Sequence, residues 1–234
     1  MKNLSICLTP ELIHLSDLKG KVAVVIDVLR ATTCMVTGMA EGIPSITPVA
    51  QVEECKALQA KGYIAAAERG GKKVDGFDMG NSPFDYMEAA KTGKKVAATT
   101  TNGTLAISKS AAADEILIGA FVNLDAIISY LKAQEKDVVM VAAGWQGNFN
   151  LEDSLFAGAV AAGLEGEFEL EDDAALATKV MYQAVKNDLA GFLAQSAHAK
   201  RLAKMDIQKD IDFALTLNTY KVVPMVINGE IVLA

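Results

Sequence analysis

The run Val22–Asp27, which reads V-A-V-V-I-D, constrains the fold more than any other stretch. It is a continuous series of β-branched and small apolar residues, typical of a strand buried on both faces in a helix-covered sheet. Arg30, Thr32 and Thr33 follow at once, and ligands of open α/β sheets bind beyond the carboxyl ends of strands. The stretch is therefore a candidate site. The alternative is an ion pair between Asp27 and Arg30, with a threonine capping the next helix.

Strand and helix patterns alternate as far as Gly163, which predicts an α/β fold. We expect a layered α/β/α arrangement around a largely parallel mixed sheet. Beyond Gly163 the pattern is helical, from Asp172 to Asn187 and in shorter pieces between Leu189 and Phe213. Asn228-Gly229 between two apolar runs predicts a terminal hairpin. No linker rich in proline, glycine or serine separates regions of the chain, so residues 1–234 are predicted to form a single domain.

Composition narrows the classes of partner. The net charge is −7 and there is no basic run, so nothing favours nucleic acid binding. No segment reaches the roughly 18 consecutive apolar residues of a membrane span. Three cysteines without a preceding apolar leader indicate a cytoplasmic protein with reduced thiols. Cys34 is interpreted as a small buried hydrophobe, because no arginine follows it at the tyrosine-phosphatase spacing.

Polar residues follow four of the predicted strands. Because the carboxyl ends of parallel strands lie on one edge of a sheet, these residues are expected to meet there. The sets are Asp27 with Arg30, Thr32 and Thr33; Glu68 with Arg69; Thr99 to Thr104; and Gly144-Trp145 with Glu152 and Asp153.

The segment T-T-T-N-G-T, residues 99–104, suits an anion. Asn102-Gly103 permits a tight turn, and the helix that begins there offers free N–H groups and a partial positive charge. Arg30 and Arg69 could hold a phosphate or sulfonate through paired hydrogen bonds. The alternative is an N-capped helix with nothing bound.

The acidic residues suit a hard divalent cation. Asp27, Glu68, Glu152 and Asp153 supply oxygen ligands from separate strand ends, and Mg²⁺ prefers a few carboxylates plus water and substrate oxygens. An alternative for Asp153 is structural, because Asn150 followed by Asp153 resembles a capping box.

Histidine is scarce, and His198 lies beside Lys200 and Arg201. Two interpretations of His198 are open. It could belong to a basic cluster near the site, but a residue on the exposed surface of a helix is the favoured interpretation.

Five motifs occur in order along the chain, and a sixth lies near the C-terminus. They are I-D-V-L-R-A-T-T (26–33), A-E-R-G-G (67–71), G-N-S-P (80–83), T-T-T-N-G-T (99–104), A-G-W-Q-G-x-F-x-L-E-D (143–153) and S-x-H-x-x-R-L (196–202), the last followed by Asp210 and Val223-Pro224. Together they resemble the 2-phosphosulfolactate phosphatase family over nearly the whole chain. The resemblance implies a Mg²⁺-dependent phosphatase that hydrolyses 2-phospho-3-sulfolactate, or a similar 2-hydroxy acid phosphate, to sulfolactate and phosphate, a step toward coenzyme M.

The residues and the resemblance together give a predicted site for a small anionic substrate. The predicted metal ligands are Asp27, Glu68 and Asp153, and the predicted catalytic residues are Asp27, Arg30 and Glu152. The predicted substrate-binding residues are Thr32, Thr33, Arg69, Thr101, Asn102, Gly103, Thr104, Gly144 and Trp145. A homodimer is a further expectation. The alternative function is a non-catalytic binding protein for a phosphate or sulfonate metabolite.

Overall fold

Helices cover both faces of an 11-stranded sheet in the computed structural model of this chain. The structure describes residues 1–202, 205 and 207–233. The strands are β1 (Lys2–Cys7), β2 (Val22–Ile26), β3 (Ile46–Pro48), β4 (Ile64–Arg69), β5 (Lys72–Lys73), β6 (Val96–Thr99), β7 (Glu115–Gly119), β8 (Val138–Ala142), β9 (Phe168–Leu170), β10 (Pro224–Ile227) and β11 (Glu230–Leu233).

The helices confirm the predicted α/β alternation and the helical segment that follows it. No described helix is both long enough and apolar enough to span a membrane. The α-helices are α1 (Ala31–Ala40), α2 (Val52–Gln59), α3 (Pro83–Ala90), α4 (Gly103–Lys109), α5 (Leu124–Ala133), α6 (Leu151–Gly163), α7 (Asp173–Val185), α8 (Leu189–Leu193), α9 (Ala197–Leu202) and α10 (Gln208–Ala214), and short 3₁₀ helices span Pro10–Leu15 and Phe121–Asn123.

The strand β2 is buried on both faces, as its sequence predicts, and all of its residues are 0% exposed. Val24 and its neighbours at alternate positions pack into a core with α5, α6 and α7. Val25 faces the opposite core, with α1, α3 and α4. Cys34 is fully buried in that second core, and burial raises the pKa of its thiol well above the ordinary value. The interpretation of Cys34 as a packing residue is therefore confirmed.

The terminal hairpin lies in the middle of the sheet. The strand order is β5-β4-β6-β3-β11-β10-β7-β2-β8-β1-β9. Strands β10 and β11 thus separate a five-strand parallel block, β7-β2-β8-β1-β9, from a three-strand parallel block, β4-β6-β3. The turn residues Asn228 and Gly229 have φ of 51° and 81°, which a two-residue type I′ turn requires. The sequence predicts the hairpin but not its position, and it misses the short strands β5 and β9.

The two parallel blocks run in opposite directions, because three antiparallel pairings in succession join β7 to β3. The prediction that four strand ends share one edge of a parallel sheet is therefore wrong. Sheets twist by about 20–25° per strand pair, so the five steps between β2 and β6 rotate the strand direction by about 100°. This rotation lets the carboxyl ends of the two blocks approach each other despite their opposite directions.

The hairpin should stabilise the fold through its inward side chains. Ile231 is fully buried opposite Ile46, whereas Ile227 in the same hairpin is 45% exposed. Replacing Ile231 by Ala should lower the free energy of unfolding by about 2–5 kcal/mol, because it removes buried methyl groups and leaves a cavity. Ile227→Ala should change it by about 0.5 kcal/mol or less. Urea denaturation of both variants measures the difference, and equal losses would contradict a supporting role for this hairpin.

Candidate active site

The turn between β2 and α1 fixes Asp27. The hydroxyl of Thr32 accepts the Asp27 amide at 2.9 Å, and Asp27 Oδ1 accepts the amide of Ala31 at 3.3 Å. Thr33 donates its hydroxyl to the carbonyl of Val28 at 2.8 Å. Both threonine side chains are fully buried, and their hydroxyls serve the turn. The structure therefore assigns them to local geometry, and a role in substrate binding stays a prediction.

The carboxylate of Asp153 ties together the ends of two strands. Its Oδ1 accepts the amide of Val28, beyond β2, at 2.8 Å. Its Oδ2 accepts the amide of Gly144, beyond β8, at 3.1 Å and the side-chain amide of Asn150 at 2.9 Å. Asn150 occupies the N-cap position of α6 without a side-chain hydrogen bond to the helix backbone, so the suggested capping box does not form. Asp153 is fully buried, and burial together with the charges of Asp27 and Glu152 raises its pKa well above the ordinary value.

The second strand block reaches the same place through Glu68. Glu68 Oε2 accepts the amide and the hydroxyl of Thr101, at 3.4 Å and 3.3 Å, and Oε1 accepts the amide of Gly71. Gly103 begins α4 directly against Asp27. A Cβ at position 103 would lie 2.9 Å from Asp27 Oδ2, so only glycine lets this helix start approach β2 so closely. The structure thus brings the ends of β2, β4 and β6 together.

The arginines differ from their predicted roles. Arg30, whose peptide bond to Leu29 is cis, forms an ion pair with Asp210, and both side chains are buried. The ion pair between Arg30 and Asp27 that the sequence suggested as an alternative is therefore not formed. Arg69 donates to the carbonyl of Glu68 at 2.7 Å and to the hydroxyl of Thr99 at 3.0 Å, which holds it against its own strand.

Helix α9 adds a basic cluster. His198 Nδ1 meets Glu152 Oε1, and its ring stacks on Trp145 with the centroids 5.3 Å apart. The guanidinium of Arg201 lies 3.8 Å from the centroid of the Trp145 ring. The side chain of His198 is only 8% exposed. The interpretation of His198 as a helix-surface residue is therefore wrong, and the alternative of a basic cluster near the site is right.

These elements enclose a small cavity of about 20 Å³, here called the acidic cleft. Five residues of the predicted site line it, namely Asp27, Arg30, Glu68, Asn102 and Trp145. The other described lining residues are Leu29, Gly71, Asn81, Arg201 and Leu202. Four more of the predicted residues lie behind this lining: Thr101 bonds to Glu68, Gly103 packs on Asp27, Thr104 bonds to Thr100, and Gly144 bonds to Asp153. Thr32, Thr33, Arg69, Glu152 and Asp153 are also absent from the lining.

Charges accumulate in the acidic cleft. The pKa of Asp27 is raised to about 6, chiefly by burial and also by the nearby charges of Glu68 and Glu152, while the Ala31 amide and His198 oppose the shift. Desolvation lowers the pKa of Arg201, against the attraction of Glu68 and Glu152. Carboxylates that repel one another in a buried place stabilise a bound cation.

The donor set fits Mg²⁺ that shares its coordination with a ligand. Within the described part of the chain, no three His, Cys, Asp or Glu side chains are grouped closely enough to hold a metal ion alone. Asp27 and Glu68 both line the cleft, and Mg²⁺ commonly takes one or two carboxylates and completes its shell with water and phosphate oxygens. Both oxygens of Asp153 already accept hydrogen bonds, so its role as a ligand stays a prediction.

The sequence assigns no site role to Asn81 or Asp210, and it offers a basic cluster of His198 and Arg201 near the site only as the less favoured alternative. These four residues lie in the G-N-S-P motif, in the S-x-H-x-x-R-L motif and at Asp210 after it. These motifs contribute to the prediction only as part of the family resemblance. Ser82, at the N-cap position of α3, makes no side-chain hydrogen bond to that helix and donates its hydroxyl to Asp210 at 3.2 Å.

The fold and the cleft define a class of protein. Buried carboxylates face arginines at the meeting point of two strand blocks in an α/β protein, an arrangement suited to an enzyme that acts on a small anion.

Comparisons with known proteins give the family. The family model described as 2-phosphosulpholactate phosphatase matches residues 7–229. Proteins named probable 2-phosphosulfolactate phosphatase from Thermotoga petrophila and Thermotoga maritima are each 39% identical to this chain over 218 residues, which is 93% of this chain and 94% of the relative. The protein of that name from Clostridium acetobutylicum is 37% identical over 91% of this chain and 92% of its own. This chain belongs to the 2-phosphosulfolactate phosphatase family, a family of phosphoric monoester hydrolases.

The raised pKa of Asp27 predicts how stability depends on pH when metal is absent. The folded chain holds this proton more tightly than the unfolded chain, so stability is greater at low pH and falls as pH rises through the window between the ordinary value of 3.8 and about 6. Between about pH 5 and about pH 7.5, the wild type should lose about 1–2 kcal/mol more than Asp27→Asn.

Chemical denaturation in the presence of a chelator measures this difference. Asp173→Asn is the matched control, because Asp173 is exposed at the start of α7, and it should follow the wild type. A variant Asp27→Asn with the wild-type pH dependence would contradict the assignment.

Proposed function

We propose that this chain hydrolyses the phosphate ester of 2-phospho-3-sulfolactate, or of a similar 2-hydroxy acid, in a Mg²⁺-dependent reaction. Family membership supports the reaction class. The names of the relatives motivate the particular substrate.

The convergence of Asp27 and Glu68 on one cleft with Arg201 carries the proposal. A protein that only binds an anion gains nothing from buried carboxylates beside its ligand, since they repel it. A hydrolase with a divalent cation needs those carboxylates to hold the ion. The same argument disfavours the alternative of a non-catalytic binding protein.

Asp27 and Glu68 would hold the ion, with Thr101 and Gly71 keeping Glu68 in place through their hydrogen bonds. Bound Mg²⁺ supplies neutralisation of phosphate charge and a more acidic water. The chain itself excludes bulk water, because Asp27 and Glu68 are 9% and 6% exposed.

The second anionic group of the substrate would meet Arg201 and Asn102, which line the same cleft. Arg201 Nε is buried without a hydrogen-bond partner in the described residues. Its guanidinium is already fixed against Trp145, so less side-chain freedom is lost when an anion binds. Arg30 is balanced by Asp210 and therefore contributes N–H donors rather than an uncompensated charge.

Magnesium and Asp27 should act together in phosphate release. Asp27→Asn should lower the rate of phosphate release from 2-phospho-3-sulfolactate by about 100-fold or more, because it removes a charged ligand. Mg²⁺ should also raise the melting temperature of the wild type, but not of the variant, because a ligand that binds only the folded state stabilises it.

Phosphate release and thermal melting, each with Mg²⁺ and with a chelator, measure these effects, with Asp173→Asn as control. No release with any divalent metal would favour the binding protein. Near-normal turnover by Asp27→Asn would contradict the assignment of this residue.

Arg201 should determine affinity for doubly anionic substrates. Arg201→Gln should raise KM by about 10–100-fold, since a hydrogen bond to a charged group contributes about 1.5–3 kcal/mol. Lys200→Gln is the matched control, because Lys200 is exposed on the same helix and absent from the lining of the cleft. Initial-rate kinetics on 2-phospho-3-sulfolactate measure the effect, and equal KM values for the two variants would contradict it.

A place in coenzyme M synthesis, a cytoplasmic location and a homodimer stay predictions from the sequence.

A further inference from the structure

Glu152 and His198 form a buried pair with two unpaired atoms. Glu152 is fully buried and the side chain of His198 is 8% exposed. An ionised carboxylate can only accept, so Nδ1 of His198 carries the hydrogen that Glu152 Oε1 accepts. His198 Nε2 and Glu152 Oε2 have no hydrogen-bond partner among the residues that the structure describes. Buried polar atoms are nearly always paired, so an unpaired one calls for an explanation.

The place of His198 in the molecule supplies that explanation. His198 lines a second cavity of about 540 Å³, here called the outer pocket, whose walls include Trp145, Phe149, Leu151 and Arg201. Trp145 and Arg201 also line the acidic cleft. His198 therefore lines a larger pocket that shares Trp145 and Arg201 with the acidic cleft, where the phosphate is predicted to bind.

The geometry points to His198 as the acid that protonates the leaving alcohol of the phosphate ester, with Glu152 as the positioning residue behind it. The anionic group of that alcohol meets Arg201, which lines both cavities, and the outer pocket takes the remainder of the alcohol. This inference rests on the proposed phosphatase function. It also makes the predicted catalytic residue Glu152 a positioning residue, which acts through His198.

Hydrolysis of the phosphate ester by this route is balanced with water as the only other reactant. The bond from phosphorus to the ester oxygen breaks, and its electron pair stays on that oxygen, which takes the proton from Nε2. A water oxygen forms the new bond to phosphorus, and a proton released from that water returns to Nε2. Glu152 stabilises the protonated imidazole and keeps its ring orientation, the usual task of a carboxylate behind a histidine.

If the pair of Glu152 and His198 were purely structural, we would expect a different arrangement. A structural ion pair in the interior is stable when its remaining donors and acceptors are also bonded. The carboxylate of Asp153, which follows Glu152 in the chain, is fully bonded in this way, since both of its oxygens accept hydrogen bonds. The unpaired Nε2, on a ring stacked against Trp145 of the cleft lining, therefore indicates that its partner is the substrate.

The dependence on leaving group tests the inference. An alkoxide needs a proton to depart, whereas p-nitrophenolate departs without one. His198→Asn keeps a donor for Glu152 but has no acid. It should lower kcat/KM on 2-phospholactate by about 100- to 10,000-fold. On p-nitrophenyl phosphate, kcat/KM of the same variant should fall by about tenfold or less.

Two further variants complete the experiment. Glu152→Gln retains an acceptor for Nδ1. Its loss of kcat/KM should be smaller than that of His198→Asn, but again larger on 2-phospholactate than on p-nitrophenyl phosphate. This variant decides the question if His198→Asn does not fold. His14→Asn is the matched control, because His14 is the other histidine of the chain and is exposed. It should leave both rates unchanged.

Equal losses on the two substrates, or no loss, would overturn the role of His198 while leaving the proposed phosphatase function intact. If the wild type released no phosphate from 2-phospholactate, p-nitrophenyl phosphate or 2-phospho-3-sulfolactate, the proposed function would be overturned. The role of His198 would then be overturned with it.

Discussion

One buried carboxylate positions most of the acidic cleft. Asp153 accepts the amides of Val28 and Gly144, and so it joins the ends of β2 and β8. Asp27 precedes Val28 in the chain, Trp145 follows Gly144, and Glu152 precedes Asp153 itself. These three predicted site residues are therefore placed by a single clamp. Hydrogen bonds to a fully buried carboxylate are strong and costly to break, so this clamp gives the cleft a fixed wall.

The opposite wall depends on close packing and on charge. Gly103 lets α4 approach Asp27, and Glu68 holds the loop before that helix through Thr101. Burial and neighbouring carboxylates raise the pKa of Asp27, while the Ala31 amide and His198 oppose them, and Arg201 is attracted by Glu68 and Glu152. The cleft is thus an acidic centre with a cationic cover from α9, which accounts for how the same cavity can suit both a divalent cation and an anionic ester.

Several parts of this arrangement are predictable because they are local. The apolar run of β2 predicts a strand buried on both faces, and Asn228-Gly229 predicts the hairpin. Among site residues, Asp27, Glu68 and Asn102 could be named because each stands beside a strand end or a helix start. His198 was misjudged because its neighbours in sequence, Lys200 and the exposed Ala197, resemble an ordinary surface helix. Its partners Glu152 and Trp145 come from a distant segment.

The α/β class, the strands, the hairpin and the family are all evident from local patterns in the sequence. The first three follow from the periodicity of apolar residues and from turn residues, and the family follows from short motifs. Long-range contacts alone place the hairpin between two opposed strand blocks, pair Arg30 with Asp210 and bring His198 to Glu152. Those contacts join residues far apart in the chain, and they follow from sheet twist and from the need to pair buried charges, which no single segment encodes.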